Sequence, residues 1–172
     1  MKVGRFIARH RLFVGTVGTV AVGLTVFVLL WFQPQKLFIE KTVDETEPIA
    51  TVTATASPHA TVEIAHGSFR SLEHRTTGRA RLLRLADGSV VLRFEGLDTS
   101  NGPDLRVYLS ELSADLGWHA YGAHYLELGA LKGNRGSQNY RVPTGADPTK
   151  YHSAVIWCRR FAVGFGVAPL DR

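Results

Sequence analysis

One cysteine, Cys158, sets the chemical question in this chain of 172 residues. It ends an apolar run, Ser153-Ala154-Val155-Ile156-Trp157-Cys158, and Arg159-Arg160 follow at once. A structural disulfide takes two cysteines, so an unpaired thiol is core packing, half of an intermolecular disulfide, or a reactive group. If 153–158 is a strand, Ala154, Ile156 and Cys158 share one face and Val155 and Trp157 the other. Both faces are apolar, which buries the sulfur and disfavours thiolate, whereas a guanidinium beside it favours thiolate. Metal chemistry is narrowed by residue type. A blue-copper centre needs Cys, two His and usually an axial Met, yet no His follows Cys158 and Met1 is the single methionine. Covalent haem needs C-x-x-C-H and structural zinc several cysteines. No metal site is therefore expected. Gly129, Gly133 and Gly136 do not spell a phosphate-binding loop and are expected in tight turns, and no G-x-S-x-G marks a nucleophile elbow. Asp104, after Gly102-Pro103, either binds a cation or caps the turn. Trp118, Tyr121 and Tyr125, beside His119 and His124, form an aromatic loop read as packing. His119, His124 and His152 are read as solvated or hydrogen-bonded loop residues.

The compartment is set at the other end of the chain. Leu12 to Phe32 carries no charge over 21 residues, enough for a helix across roughly 30 Å of hydrocarbon. Lys2, Arg5, Arg9 and Arg11 precede it, so the positive-inside rule keeps residues 1–11 cytoplasmic and exports the rest. A cleaved signal peptide has a shorter apolar region and a nearby small-x-small site; here Leu30-Trp31-Phe32 and Gln33-Pro34 stand in that place. An uncleaved signal anchor is therefore expected. Gly15, Gly18 and Gly23 do not make a G-x-x-x-G contact. The net charge of +5 falls in large part on this stub: beyond residue 32, sixteen Lys+Arg face fifteen Asp+Glu, a net of +1. Nucleic acid is excluded as a partner, and the basic stub suits anionic lipid.

Residues 33–65 are poor in large apolar side chains and rich in Thr, Ala and Glu, which predicts a flexible stalk. From residue 66 to 172 the pattern changes. Short branched and aromatic runs alternate with Gly, Pro, Asn and Asp turns: 67–72, 80–85, 90–94, 105–110, 125–128, 138–142, 154–158 and 161–167. Asp87-Gly88 is a hairpin signal. Helical spacing is confined to Leu112–Leu116. About eight strands over roughly 105 residues predict an all-β fold, a single β-sandwich or barrel-like domain with its own core.

Several blocks in that domain resemble the DM-thirteen family, the Skeletor-associated electron-transfer domain, in its membrane-anchored bacterial form. They are Gly67-x-Phe69, Glu73-His74 with Gly78, Asp87-Gly88 with Leu92-Arg93-Phe94, and Gly102-Pro103-Asp104-Leu105-x-Val107-Tyr108-Leu109. Leu128-Gly129-x-Leu131-Lys132-Gly133-Asn134-x-Gly136 follows, with Gln138-x-Tyr140, and then the block from Tyr151 to Leu170 around Ile156-Trp157-Cys158-x-x-Phe161. The resemblance implies a β-sandwich with one characteristic cysteine used in electron transfer, as a naked redox thiol or as ligand to a group such as haem. Cys158 matches that position. With a haem, Cys158 is the expected thiolate ligand and His74, inside a family block, the candidate sixth ligand. The chain lacks a second redox module, so donor and acceptor are not named.

The expectation is thus a single-pass membrane protein with an extracytoplasmic domain that transfers electrons through Cys158, working with a redox or cell-surface protein rather than turning over a substrate. The alternative is a non-catalytic surface domain that binds a ligand or protein and keeps Cys158 as core.

Overall fold

The computed structural model describes residues 11–32, 39–48 and 61–172. The stub before Arg11 that the sequence reading expects to be cytoplasmic, and residues 33–38 and 49–60 of the expected stalk, lie outside the described residues. A helix, α1 (Arg11–Phe32), carries the apolar run. The described side chains from Leu12 to Trp31 are all exposed. The Thr16, Thr19 and Thr25 hydroxyls donate back to the carbonyls of Leu12, Gly15 and Ala21 at 2.8–3.0 Å. Among the fully described residues no helix is long and apolar enough to cross a membrane.

Among the described residues ten strands build two five-stranded sheets. They are β1 (Thr42–Asp44), β2 (Val62–Ser68), β3 (Arg70–Ser71), β4 (Thr76–Arg84) and β5 (Val90–Thr99), followed by β6 (Leu105–Ser110), β7 (Tyr125–Ala130), β8 (Arg135–Arg141), β9 (Ser153–Cys158) and β10 (Val163–Pro169). One sheet runs β1-β8-β5-β4-β2, the other β3-β10-β9-β6-β7. Alternation packs them face to face. Leu82, Leu92, Phe94 and Tyr140 from the first meet Leu105, Val107, Ile156 and Phe165 from the second. The all-β expectation holds, and the arrangement is a sandwich.

The expected β4–β5 hairpin turns at Asp87-Gly88, where Gly88 takes φ +80° and Asp87 Oδ1 accepts from the Ser89 N–H at 2.9 Å. Three readings are corrected. The run 67–72 is two strands rather than one: the chain passes from one sheet to the other at Phe69, whose buried ring meets Phe94 edge-on, centroids 5.0 Å apart. Leu112–Leu116 is not helical, because side chains take its carbonyls. Tyr121 Oη donates to Ser113 O at 2.9 Å, and Arg70 donates to Ala114 O and, at 2.9 Å, to Leu116 O. The third concerns the stretch read as stalk, which contributes β1 and the first residues of β2. The segment around β1 is held by long-range bonds that composition does not register: Lys132 Nζ donates to Glu45 Oε1 at 2.7 Å and the Asn139 N–H to Glu45 Oε2 at 2.7 Å. Arg93, nearly buried, also donates to the Glu45 carbonyl at 3.0 Å.

Candidate functional site

Cys158 is fully buried. It is the last residue of β9, and its register partners are Leu105 on β6 and Val163 on β10. As the alternation predicts, Ala154, Ile156 and Cys158 join the core between the sheets, and Val155 and Trp157 face outward. That outer face is covered as well: the loop after β6 lays Leu112, Ala114, Ala120 and Tyr121 over it. β9 therefore reads as an unbroken apolar run because all six residues are buried, on two faces.

Trp157, covalently next to Cys158, begins an aromatic series. Its ring centroid lies 6.3 Å from that of Tyr108, which stacks on Tyr125 at 3.9 Å with planes 5° apart. Trp157 and Tyr108 are nearly inaccessible, whereas Tyr125 is 40% exposed. Burial, followed by hydrogen bonding with Tyr125, holds the Tyr108 phenol well above its ordinary titration range. The sequence reading set Tyr125 at the head of the strand 125–128 and also beside the aromatic loop; it is the first residue of β7, opposite Ser110 at the end of β6. Of the other loop aromatics, Tyr121 is core and Trp118 lies tilted against the ring of His119. His119, His124 and His152 are exposed.

The Asp104 carboxylate is taken up by two guanidinium groups. It accepts from Arg106 Nε at 2.6 Å and from Arg159 Nε at 2.9 Å. Burial raises its pKa, and the two guanidinium bonds outweigh that to hold it below the usual carboxylate range. Arg159 is thus directed to Asp104, with Glu127 3.9 Å from its Nη1, and its described bonds do not involve the sulfur of Cys158.

His74 lies over the ring of Phe165, centroids 3.8 Å apart. Burial lowers its pKa, against the weaker pull of Glu73. Phe165 is itself a core residue beside Leu105, since a Cβ on Gly102 would meet both within 3.1 Å. A haem bonded to Cys158 needs an apolar slot at the sulfur. The residues do not fit one: Cys158 has no exposed surface, its core neighbours are apolar and close-packed, and His74 is spent on Phe165. Neither Cys158 nor His74 lines any of four surface clefts. The nearest, about 360 Å³, runs between Asn101–Leu105 and Ala130–Asn134, and its floor residue Leu105 separates it from Cys158. Among the described residues no three His, Cys, Asp or Glu side chains are grouped to hold a metal ion.

The sequence reading named Gly133, Asn134 and Gly136 within a family block and assigned the two glycines to tight turns; it missed that they receive β1. A Cβ on Gly133 would stand 2.4 Å from the Lys41 carbonyl oxygen, and one on Gly136, at φ +93°, 2.1 Å from that of Val43. Asn134 Oδ1 accepts from the Lys41 N–H at 2.7 Å. The detectable signal was a cluster of glycines at the start of a strand, which marks close backbone approach.

No curated protein and no solved structure matches the chain. A family model does, described as "Electron transfer DM13", over residues 68–170, the sandwich from the end of β2 to the end of β10 and just beyond, with Cys158 inside it. The match covers more than half of the chain and spans both sheets, and the protein belongs to the DM13 electron-transfer family.

Proposed function

We propose that this protein is a membrane-tethered, extracytoplasmic electron-transfer module of the bacterial type, in which α1 is an uncleaved anchor and Cys158 is the redox centre. The family supports the electron-transfer role. The observation offered for the cysteine assignment is the series Trp157–Tyr108–Tyr125, which starts at the residue covalently next to the buried thiol and runs through adjacent rings to the surface. A thiol that no reagent can touch is a poor nucleophile, yet electrons cross packed aromatic groups without opening the core. The uncharged run of α1 after Arg11 supports the anchor; its threonine hydroxyls are bonded within the helix, as hydrocarbon requires.

In this reading a one-electron-accepting partner docks at Tyr125. One electron passes from Cys158 through Trp157, Tyr108 and Tyr125 to the partner, and the one proton lost with it, from the thiol, goes to solvent. The rings end in their starting state and the partner is reduced by one electron. The rival reading, a binding domain with Cys158 as core, draws on the same burial. Flash oxidation of the full chain by photogenerated tris(bipyridyl)ruthenium(III) separates them. The expected result is a short-lived tyrosyl signal that persists in Cys158→Ala and is weakened in Tyr125→Phe. Equal lifetimes with and without the thiol would leave Cys158 as packing.

A further inference from the structure

β1 is an odd member of its sheet. It is three residues long, pairs in parallel with β8 in an otherwise antiparallel sheet, and lies outside the matched family region. The groups that receive it all lie inside that region. Gly133 and Gly136 let the Lys41 and Val43 carbonyls approach to distances no side chain would tolerate. Asn134 accepts from the Lys41 N–H, and Ser137 O accepts from the Glu45 N–H at 2.8 Å. Lys132 and the Asn139 N–H close on the Glu45 carboxylate, and Asn139 Nδ2 donates to the Thr46 carbonyl at 2.9 Å. This is the anatomy of strand addition: backbone pairing for affinity, cleared glycines for approach, and one charged clamp for register.

We propose that the β8 edge is a peptide-binding site for an extended strand ending in an acidic residue, and that residues 41–46 occupy it exchangeably, so that a second copy of the chain can supply them. The connection permits this. β1 and β2 stand at opposite edges of the sheet, four strand spacings or about 19 Å apart. The residues between Asp44 and Val62 reach roughly 58 Å when extended, far more than a strand returning to its own sheet requires. That length reaches either the chain's own β8 edge or a neighbour's, and exchange of an identical element between protomers is a low-cost route to a dimer.

Charge reversal tests it on full chains. Lys132→Glu and Glu45→Lys each set like charges against each other in their own chain. When the two variants are mixed, the acidic β8 edge of the Lys132→Glu chain and the basic strand of the Glu45→Lys chain are complementary. The expected result is a one-to-one heterodimer by light scattering on mixing, at least tenfold more dimer than either variant gives alone. The double variant Lys132→Glu/Glu45→Lys, with its own pair restored, remains a monomer under the same conditions. If a single variant is unfolded alone, mixing restores a cooperative thermal transition. A mixture that stays monomeric, or stays unfolded while the double variant folds, overturns the proposal.

Discussion

At Cys158 two demands meet in one side chain. Strand alternation turns the sulfur inward, and the same alternation turns its neighbour Trp157 outward onto Tyr108. Access for reagents and access for electrons are thereby separated, which a sequence shows only in part: the two faces of 153–158 were legible, the ring stack was not, because Tyr108 and Tyr125 meet through β6–β7 register. His74 gives a second residue-scale expectation. Burial favours its neutral form, so the unfolded chain binds the proton more readily than the folded one. Stability is then fully present above the unfolded value near pH 6.5 and falls as the pH drops below it. Denaturant midpoints either side of about pH 6 check this. His74→Phe, which keeps a ring over Phe165, is expected to lose that slope; an unchanged slope would place the titration elsewhere.

Among the elements, β1 decides most. Its anchoring side chain, Glu45, has a pKa raised by burial and lowered by more through bonds from Lys132 and the Asn139 N–H, so its charged form belongs to the folded state. Glu45→Ala removes a charge-assisted pair and leaves the Asn139 N–H without its acceptor, an expected loss of about 1–2 kcal/mol in denaturant stability. No loss would mean β1 is held by its backbone alone. This strand escaped the sequence reading because Thr42-Val43-Asp44 is too short to show a period and its partners are more than ninety residues away. By contrast β4, β5 and the Asp87-Gly88 turn were legible, since a hairpin writes its pattern locally. The first and last halves of 67–72 looked like one strand because both alternate. Only the transfer between sheets at Phe69 divides them.

For the whole molecule, the sandwich and the apolar helix make separate statements. The sandwich closes its core with both sheets and a covering loop, and it accounts for the family match. The helix offers exposed apolar side chains to whatever surrounds it, and a bilayer is the medium the proposal assigns. Alkaline carbonate extraction of expressing cells is expected to leave the full chain in the membrane pellet, and removal of residues 1–38 to release it; a full chain that washes off would contradict the anchor.

The central claim is that the redox centre is the Cys158 thiol. Its most direct test is film voltammetry of the full chain beside Cys158→Ala, with thermal unfolding showing that the variant retains its fold. The account predicts a one-electron, one-proton wave in the parent that is absent from Cys158→Ala and slower in Tyr108→Phe. The same wave in Cys158→Ala would contradict it, and would place the electron-transfer group elsewhere in the sandwich.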